Sequence, residues 1–169
     1  GTLTTSGLNS YGAYLVSNYG TSTFTNSGTI RTSGTSANGA YLQSNNGTST
    51  FTNSGTIRTS GTNGNGIYAY LNSGTTTLIN SDTITASGAN SYGMYSFSNT
   101  GATTFTNSGT ITTSGASGFG IYSRGHDSES VGTTTLTNSG TIKVTGSGAV
   151  GVKSNRAITI NNSGLISAT

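Results

Sequence analysis

Apolar residues in this chain stand singly or in pairs among Ser, Thr, Asn and Gly, and they return at a fixed interval. The phrase Phe24-Thr25-Asn26-Ser27-Gly28-Thr29-Ile30 recurs at 51–57, 78–84, 105–111, 136–142 and 160–166. Successive starts lie 27, 27, 27, 31 and 24 residues apart, a repeat with one lengthened and one shortened connection. A second phrase, Gly12-Ala13-Tyr14, keeps the same register at Gly39-Ala40-Tyr41, Gly66-Ile67-Tyr68, Gly93-Met94-Tyr95 and Gly120-Ile121-Tyr122, and diverges at Gly151-Val152-Lys153. Ten positions always separate the isoleucine from the residue after this glycine, so all length variation falls before the next Phe or Leu.

Each repeat predicts three short strands divided by Gly-rich corners: Ser22–Thr25, Thr29–Thr32 and Ala40–Gln43 in one rung, with equivalents in the others. The segments are too short, too rich in Thr and too often broken by Gly for a helical stripe. One or two apolar residues per strand cannot stabilise a hairpin. Stacked in register, the same residues build continuous apolar columns, so the chain is expected to be all-β: a parallel β-solenoid of about six rungs of about 27 residues, a single segment over 1–169.

Strand parity assigns the columns. Phe24, Phe51, Leu78, Phe105, Leu136 and Ile160 share parity with Asn26, Asn53, Asn80, Asn107, Asn138 and Asn162, which predicts a hydrophobic column bordered by an inward asparagine ladder that satisfies backbone groups at a corner. Leu3, Ile30, Ile57, Ile84, Ile111, Ile142 and Ile166 form the second inward column, with Arg31, Arg58 and Lys143 on the outward parity. The third is Ala13, Ala40, Ile67, Met94, Ile121 and Val152. Asp82 replaces the glycine found at 28, 55, 109, 140 and 164, and reads as a residue tolerating a left-handed backbone rather than a catalytic acid.

Tyr14, Tyr41, Tyr68, Tyr95 and Tyr122 take the parity of Gln43, Arg124 and Asn155, and are expected to form an exposed aromatic ribbon with rings about 4.8 Å apart. Such a ribbon packs across strands, and it also offers rigid amphipathic contact area. The lengthened connection carries Arg124, His126, Asp127 and Glu129. His126, Asp127 and Glu129 on one loop lack the supporting shell of a metal or acid/base site, so the reading is a solvated loop or a partner-contact loop.

Composition narrows the chemistry further. The 169 residues include 27 Gly, no Pro or Cys, 5% charged and 30% hydrophobic residues, outside ordinary globular usage. Three acids and one His leave little for calcium cages, transition metals or carboxylate pairs, so no cofactor, metal or catalytic residue is expected. The +3 charge comes from six dispersed cations, too few for nucleic-acid binding. No apolar run is long enough to enter a membrane as a helix, and no leader is visible.

Together, the Phe/Leu-Thr-Asn-Ser-Gly-Thr-Ile phrase, Gly-Ile-Tyr, and Thr133 to Ile142 resemble the strand repeats of bacterial autotransporter passenger domains and haemagglutinin-type adhesins. The resemblance spans the chain and implies a right-handed parallel β-helix, secreted to the bacterial cell surface and serving adhesion, aggregation or display. Its implied partners are host or neighbouring-cell surface molecules, or the protein itself by lateral or head-to-tail association. Both ends fall inside a repeat, which fits either part of a longer chain or a subunit stacking into a filament. Two other functions are weighed. Outward Thr pairs such as Thr50 and Thr52, or Thr104 and Thr106, suggest an ice-binding face interrupted at Ile79 and Asn161. A polysaccharide-cleaving β-helix enzyme would need a cluster of carboxylates or bases, which the sequence does not supply.

Overall fold

A computed structural model describes residues 1–126 and 131–169. Nineteen strands and no helix occur among the described residues. The first rungs comprise β1 (Thr2–Thr5), β2 (Ala13–Ser17), β3 (Thr21–Asn26), β4 (Thr29–Thr32), β5 (Ala40–Ser44), β6 (Thr48–Asn53) and β7 (Thr56–Thr59). The middle rungs follow with β8 (Ile67–Leu71), β9 (Thr75–Asn80), β10 (Thr83–Ala86), β11 (Tyr92–Ser98), β12 (Thr103–Asn107) and β13 (Thr110–Thr113). The last are β14 (Phe119–Gly125), β15 (Thr134–Asn138), β16 (Thr141–Val144), β17 (Val150–Ser154), β18 (Ile158–Asn162) and β19 (Leu165–Ala168).

Every third strand joins the same sheet, and all pairing is parallel. The orders are β1-β4-β7-β10-β13-β16-β19, β2-β5-β8-β11-β14-β17 and β3-β6-β9-β12-β15-β18. Each pairing joins equivalent residues of the repeat, as in Ile30↔Ile57, Tyr41↔Tyr68 and Phe51↔Leu78. The fold is therefore a three-sided β-solenoid of about six turns, as the periodicity predicts.

The core fills along the expected columns. Phe51, Leu78, Phe105 and Leu136, the isoleucines from Ile30 to Ile142, and Ala40, Ile67, Met94 and Ile121 are all fully buried. A further inward column runs through Leu42, Ala69, Ser96 and Ser123. Its two serines turn polar inside the core, and each meets a threonine of the next strand: Ser96 with Thr103 at 2.7 Å and Ser123 with Thr134 at 2.6 Å. A hydroxyl pair can satisfy itself, so both sit in the interior with a partner.

Both length changes fall where the sequence places them. The lengthened connection lies between β14 and β15, and the shortened one between β17 and β18.

The left-handed corner is elsewhere than expected. Positive φ occurs at Asn9, Ser36, Asn63, Asn90, Ser117 and Gly148 (53°, 56°, 58°, 53°, 55° and 71°), the turn between the second and third strands of each rung. Asn and Ser outnumber Gly there because a short polar side chain tolerates this region. The glycine column at 28, 55, 109, 140 and 164 has no positive φ. Small size is required for another reason: a Cβ built on Gly55 would fall onto the Gly28 carbonyl of the rung below. Asp82 carries the one side chain in that column, points to solvent, and accepts a bond from Thr83 Oγ1 at 3.0 Å.

Candidate functional site

The tyrosine column lies on the β2-β5-β8-β11-β14-β17 sheet in perfect register. Adjacent centroids are 5.4 Å apart for Tyr14 and Tyr41, 5.0 Å for Tyr41 and Tyr68, 4.8 Å for Tyr68 and Tyr95, and 5.2 Å for Tyr95 and Tyr122. The column is less open than an exposed ribbon. Only Tyr14 is freely accessible, at 56%; Tyr41, Tyr68 and Tyr122 are half-buried, and Tyr95 is 9% exposed.

Two flanking columns cause this burial, and parity alone did not reveal them. On the corner side, Tyr92 stacks on Phe119 at 5.0 Å and meets Tyr95 edge-on at 5.1 Å, while Tyr11 stacks on Tyr41 at 5.0 Å. On the other side, Tyr70 stacks on Phe97 at 5.5 Å. The signal for both was in the sequence, since Tyr70, Phe97 and Arg124 are spaced by the repeat, as are Tyr92 and Phe119. The conspicuous Gly-x-Tyr phrase drew attention to one column of three.

Cations border the high-numbered end of this face. The Arg124 guanidinium sits 5.3 Å over the Phe97 ring, and Lys153 Nζ lies 4.7 Å over Phe119 and 5.4 Å over Tyr122, within cation–π range. Desolvation is the main cause that raises the phenol pKa of Tyr41, to about 12, and those of Tyr68, Tyr92 and Tyr95. Neighbouring phenolates would add to the effect at Tyr41 and Tyr68, so these hydroxyls stay neutral donors over the whole physiological range. His126 meets the Phe97 ring edge at 5.7 Å, which brings it and Arg124 to the same face. Asp127 and Glu129 lie outside the described residues.

Between Tyr11 and Tyr92 the corner column changes character. The two intervening rungs carry Asn38 and Asn65, 4% and 6% exposed, whose side chains floor a groove of about 310 Å³. Tyr41, Tyr68 and Tyr95 wall one side, and the left-handed Ser36, Asn63 and Asn90 the other. Asn65 donates from its backbone N–H and from Nδ2 to Asn38 Oδ1, at 2.9 and 3.0 Å, and Asn65 Oδ1 accepts from the Tyr92 N–H at 2.9 Å.

The predicted asparagine ladder forms along the opposite corner. Nδ2 of each residue donates to Oδ1 of the next from Asn26 through Asn53, Asn80, Asn107 and Asn138 to Asn162, at 2.7–2.8 Å. The same amides donate to the carbonyls two residues on, such as Gly55 at 2.7 Å from Asn53. Asn162 alone in the ladder is exposed. These residues hold the fold together; from Asn53 to Asn138 they are fully buried and present nothing to a partner.

Two further features bear on the surface. Arg31 and Arg58 pair directly across β4 and β7 and line a shallow groove of about 360 Å³ with Thr32, Thr59, Ser60 and Ser87. Arg156 falls in the column of Gly101 and Gly132 and turns inward, donating from Nη2 to the Gly101 carbonyl at 2.8 Å and from Nε to the Gly132 carbonyl at 3.0 Å. In the sequence it is one of six dispersed cations.

Equivalent strands stacked in register, an inward asparagine ladder and an aromatic outer face define a repetitive β-helix. The family model of the BigA third pectate lyase-like domain matches residues 1–169, and the chain belongs to that family, a β-helix family of bacterial surface proteins. The pectate lyase-like part of the name describes a fold and carries no activity to this chain. No curated protein and no solved structure matches it.

Proposed function

We propose that this chain is a non-catalytic, extracellular segment of a bacterial surface protein, and that its aromatic sheet face makes adhesive contact with host or neighbouring-cell molecules or with another copy. The observation that carries this reading is the aromatic face itself. Tyr14 is accessible, and Tyr41 and Tyr122 are partly so, on the same sheet face as Tyr70, Phe97, Arg124 and Lys153, a combination of Tyr and Arg typical of contact surfaces. Rigid stacking lowers the entropy that contact would cost. Family membership supports a surface location, and the low content of carboxylates supports a role without catalysis.

The test is replacement of Tyr14, Tyr41 and Tyr122 by Ser in the surface-displayed protein, scored by cell attachment and by self-association. Loss of either with an unchanged β-sheet circular dichroism spectrum supports the reading. Full retention of both assigns the tyrosines to packing alone.

A further inference from the structure

The groove over Asn38 and Asn65 has the chemistry of a sugar site. The corner column reads Tyr11, Asn38, Asn65, Tyr92, Phe119, so aromatic rings close the groove at both ends while amides floor the two rungs between. Tyr11 and Tyr92 stand three rungs apart, about 14 Å at the spacing of adjacent strands. That leaves room for a disaccharide lying along the solenoid axis, and the volume of about 310 Å³ lies at the small end for ligand sites.

The ring stack breaks at this place. Tyr41 and Tyr68 meet at 87°, whereas Tyr68, Tyr95 and Tyr122 lie within 13° of their neighbours. A ring face and a ring edge therefore both border the groove, together with phenol hydroxyls held neutral by burial. The amide chemistry is also incomplete. Asn38 Oδ1 accepts two bonds, but Asn38 Nδ2 donates none among the described residues, although the side chain is almost wholly buried. It is not sealed from solvent, so it keeps a fixed donor for an incoming acceptor.

None of the residues lining the groove bears a charge at neutral pH. A lining of amides, hydroxyls and aromatic rings suits a ligand with many hydroxyls and apolar ring faces and no net charge. We infer that the groove between Tyr11 and Tyr92 binds a neutral glycan, with Asn38 and Asn65 reading its hydroxyls and the tyrosines packing on its rings. This rests on the proposal that the aromatic face is adhesive, and it names one class of ligand for that face.

The test uses an array of neutral and acidic oligosaccharides, followed by titration of tyrosine fluorescence with the neutral members that bind. Replacing Asn65 by Tyr fills the groove with the residue the same column already holds at 11 and 92, so the rung has a side chain its backbone accommodates. Asn38→Ala removes the unused donor and serves if the first variant is unstable. Binding of neutral oligosaccharides that falls more than about tenfold in N65Y or N38A is the expected result. No neutral binding, binding of acidic members only, or affinity unchanged in a folded variant would each overturn the inference. Attachment that depends on Tyr14 and Tyr122 without any glycan binding would leave the adhesive face standing and remove the glycan from it; glycan binding without an attachment defect would do the reverse.

Discussion

Asn107 donates from Nδ2 to Oδ1 of Asn138 at 2.7 Å, the same contact its predecessors make, although 31 residues separate the two instead of 27. β15 keeps the register of β12 across this longer spacing, and the ladder continues to Asn162 without a break. Each amide in such a chain polarises the next.

Replacing Asn107 by Ala should therefore cost about 1–3 kcal/mol for each buried group left unpaired. The Asn138 oxygen loses its donor and Asn80 Nδ2 loses an acceptor, whereas the Gly109 carbonyl keeps the Thr141 N–H. Asn107→Asp should cost more at neutral pH, because a carboxylate would face those same acceptors. Urea denaturation with both variants checks the order, and the Asp variant should recover as the pH falls and its carboxyl is protonated.

Arg156 carries a second prediction. Burial lowers its pKa, yet its fork spans two carbonyls that belong to successive rungs. Arg156→Ala should lose about 1.5–3 kcal/mol per charge-assisted bond, and Arg156→Lys should restore little, since one ammonium cannot reproduce the planar fork. Equal melting temperatures for the wild type and the Lys variant would show that the charge, not the geometry, holds the connection.

Alkaline pH should loosen the aromatic face. The phenols of Tyr41 and Tyr68 have pKa values raised in the folded state, chiefly by desolvation, so the unfolded chain releases its protons first. Their stabilising contribution is complete below the unfolded value of about 10 and is lost as the pH climbs through about 12, where Tyr41 titrates. Tyrosinate absorbance should show a late fraction that appears together with loss of the β-sheet signal. Tyr41→Phe with Tyr68→Phe should move that loss to higher pH.

The architecture was legible because a solenoid writes its fold as a period. Ile30, Ile57 and Ile84 announce a column before any strand is assigned, and the parity of Asn26 predicts an inward amide. Single events were not legible. Arg156 looks like any surface cation until the shortened connection carries it beneath Gly132, and Asn38 looks like turn composition until Tyr11 and Tyr92 bracket it. The burial of Tyr95 was missed for the same reason, since parity says which side of a sheet a residue takes and nothing about what neighbouring columns cover.

Ile84 tests the stack as a whole. It is fully buried in an apolar column between Ile57 and Ile111, and the inward-turned Arg156 is already committed to the Gly101 and Gly132 carbonyls. Ile84→Asp should destabilise by about 4 kcal/mol or more and, because each rung contacts only its neighbours, should melt several rungs together. An unchanged thermal transition in circular dichroism would contradict the inward assignment of this column.

The remaining outward face gives the last prediction. The β3-β6-β9-β12-β15-β18 sheet aligns Thr23, Thr50, Thr77, Thr104, Thr135 and Thr159 in one column, and Thr25, Thr52, Ile79, Thr106, Thr137 and Asn161 in another. Paired threonine columns at a strand spacing form a regular hydroxyl array, the arrangement an ice surface would require. Ile79 interrupts the second column in mid-stack, and Thr is also a favoured strand residue that needs no function to explain it. The unmodified protein should accordingly show no thermal hysteresis, and changing Thr50, Thr52, Thr104 and Thr106 to Lys should leave cell attachment intact. Freezing-point depression that disappears with these four changes would make the threonine face the working surface. It would also displace the adhesive reading, because the tyrosines lie on a different sheet and would have no part in that activity.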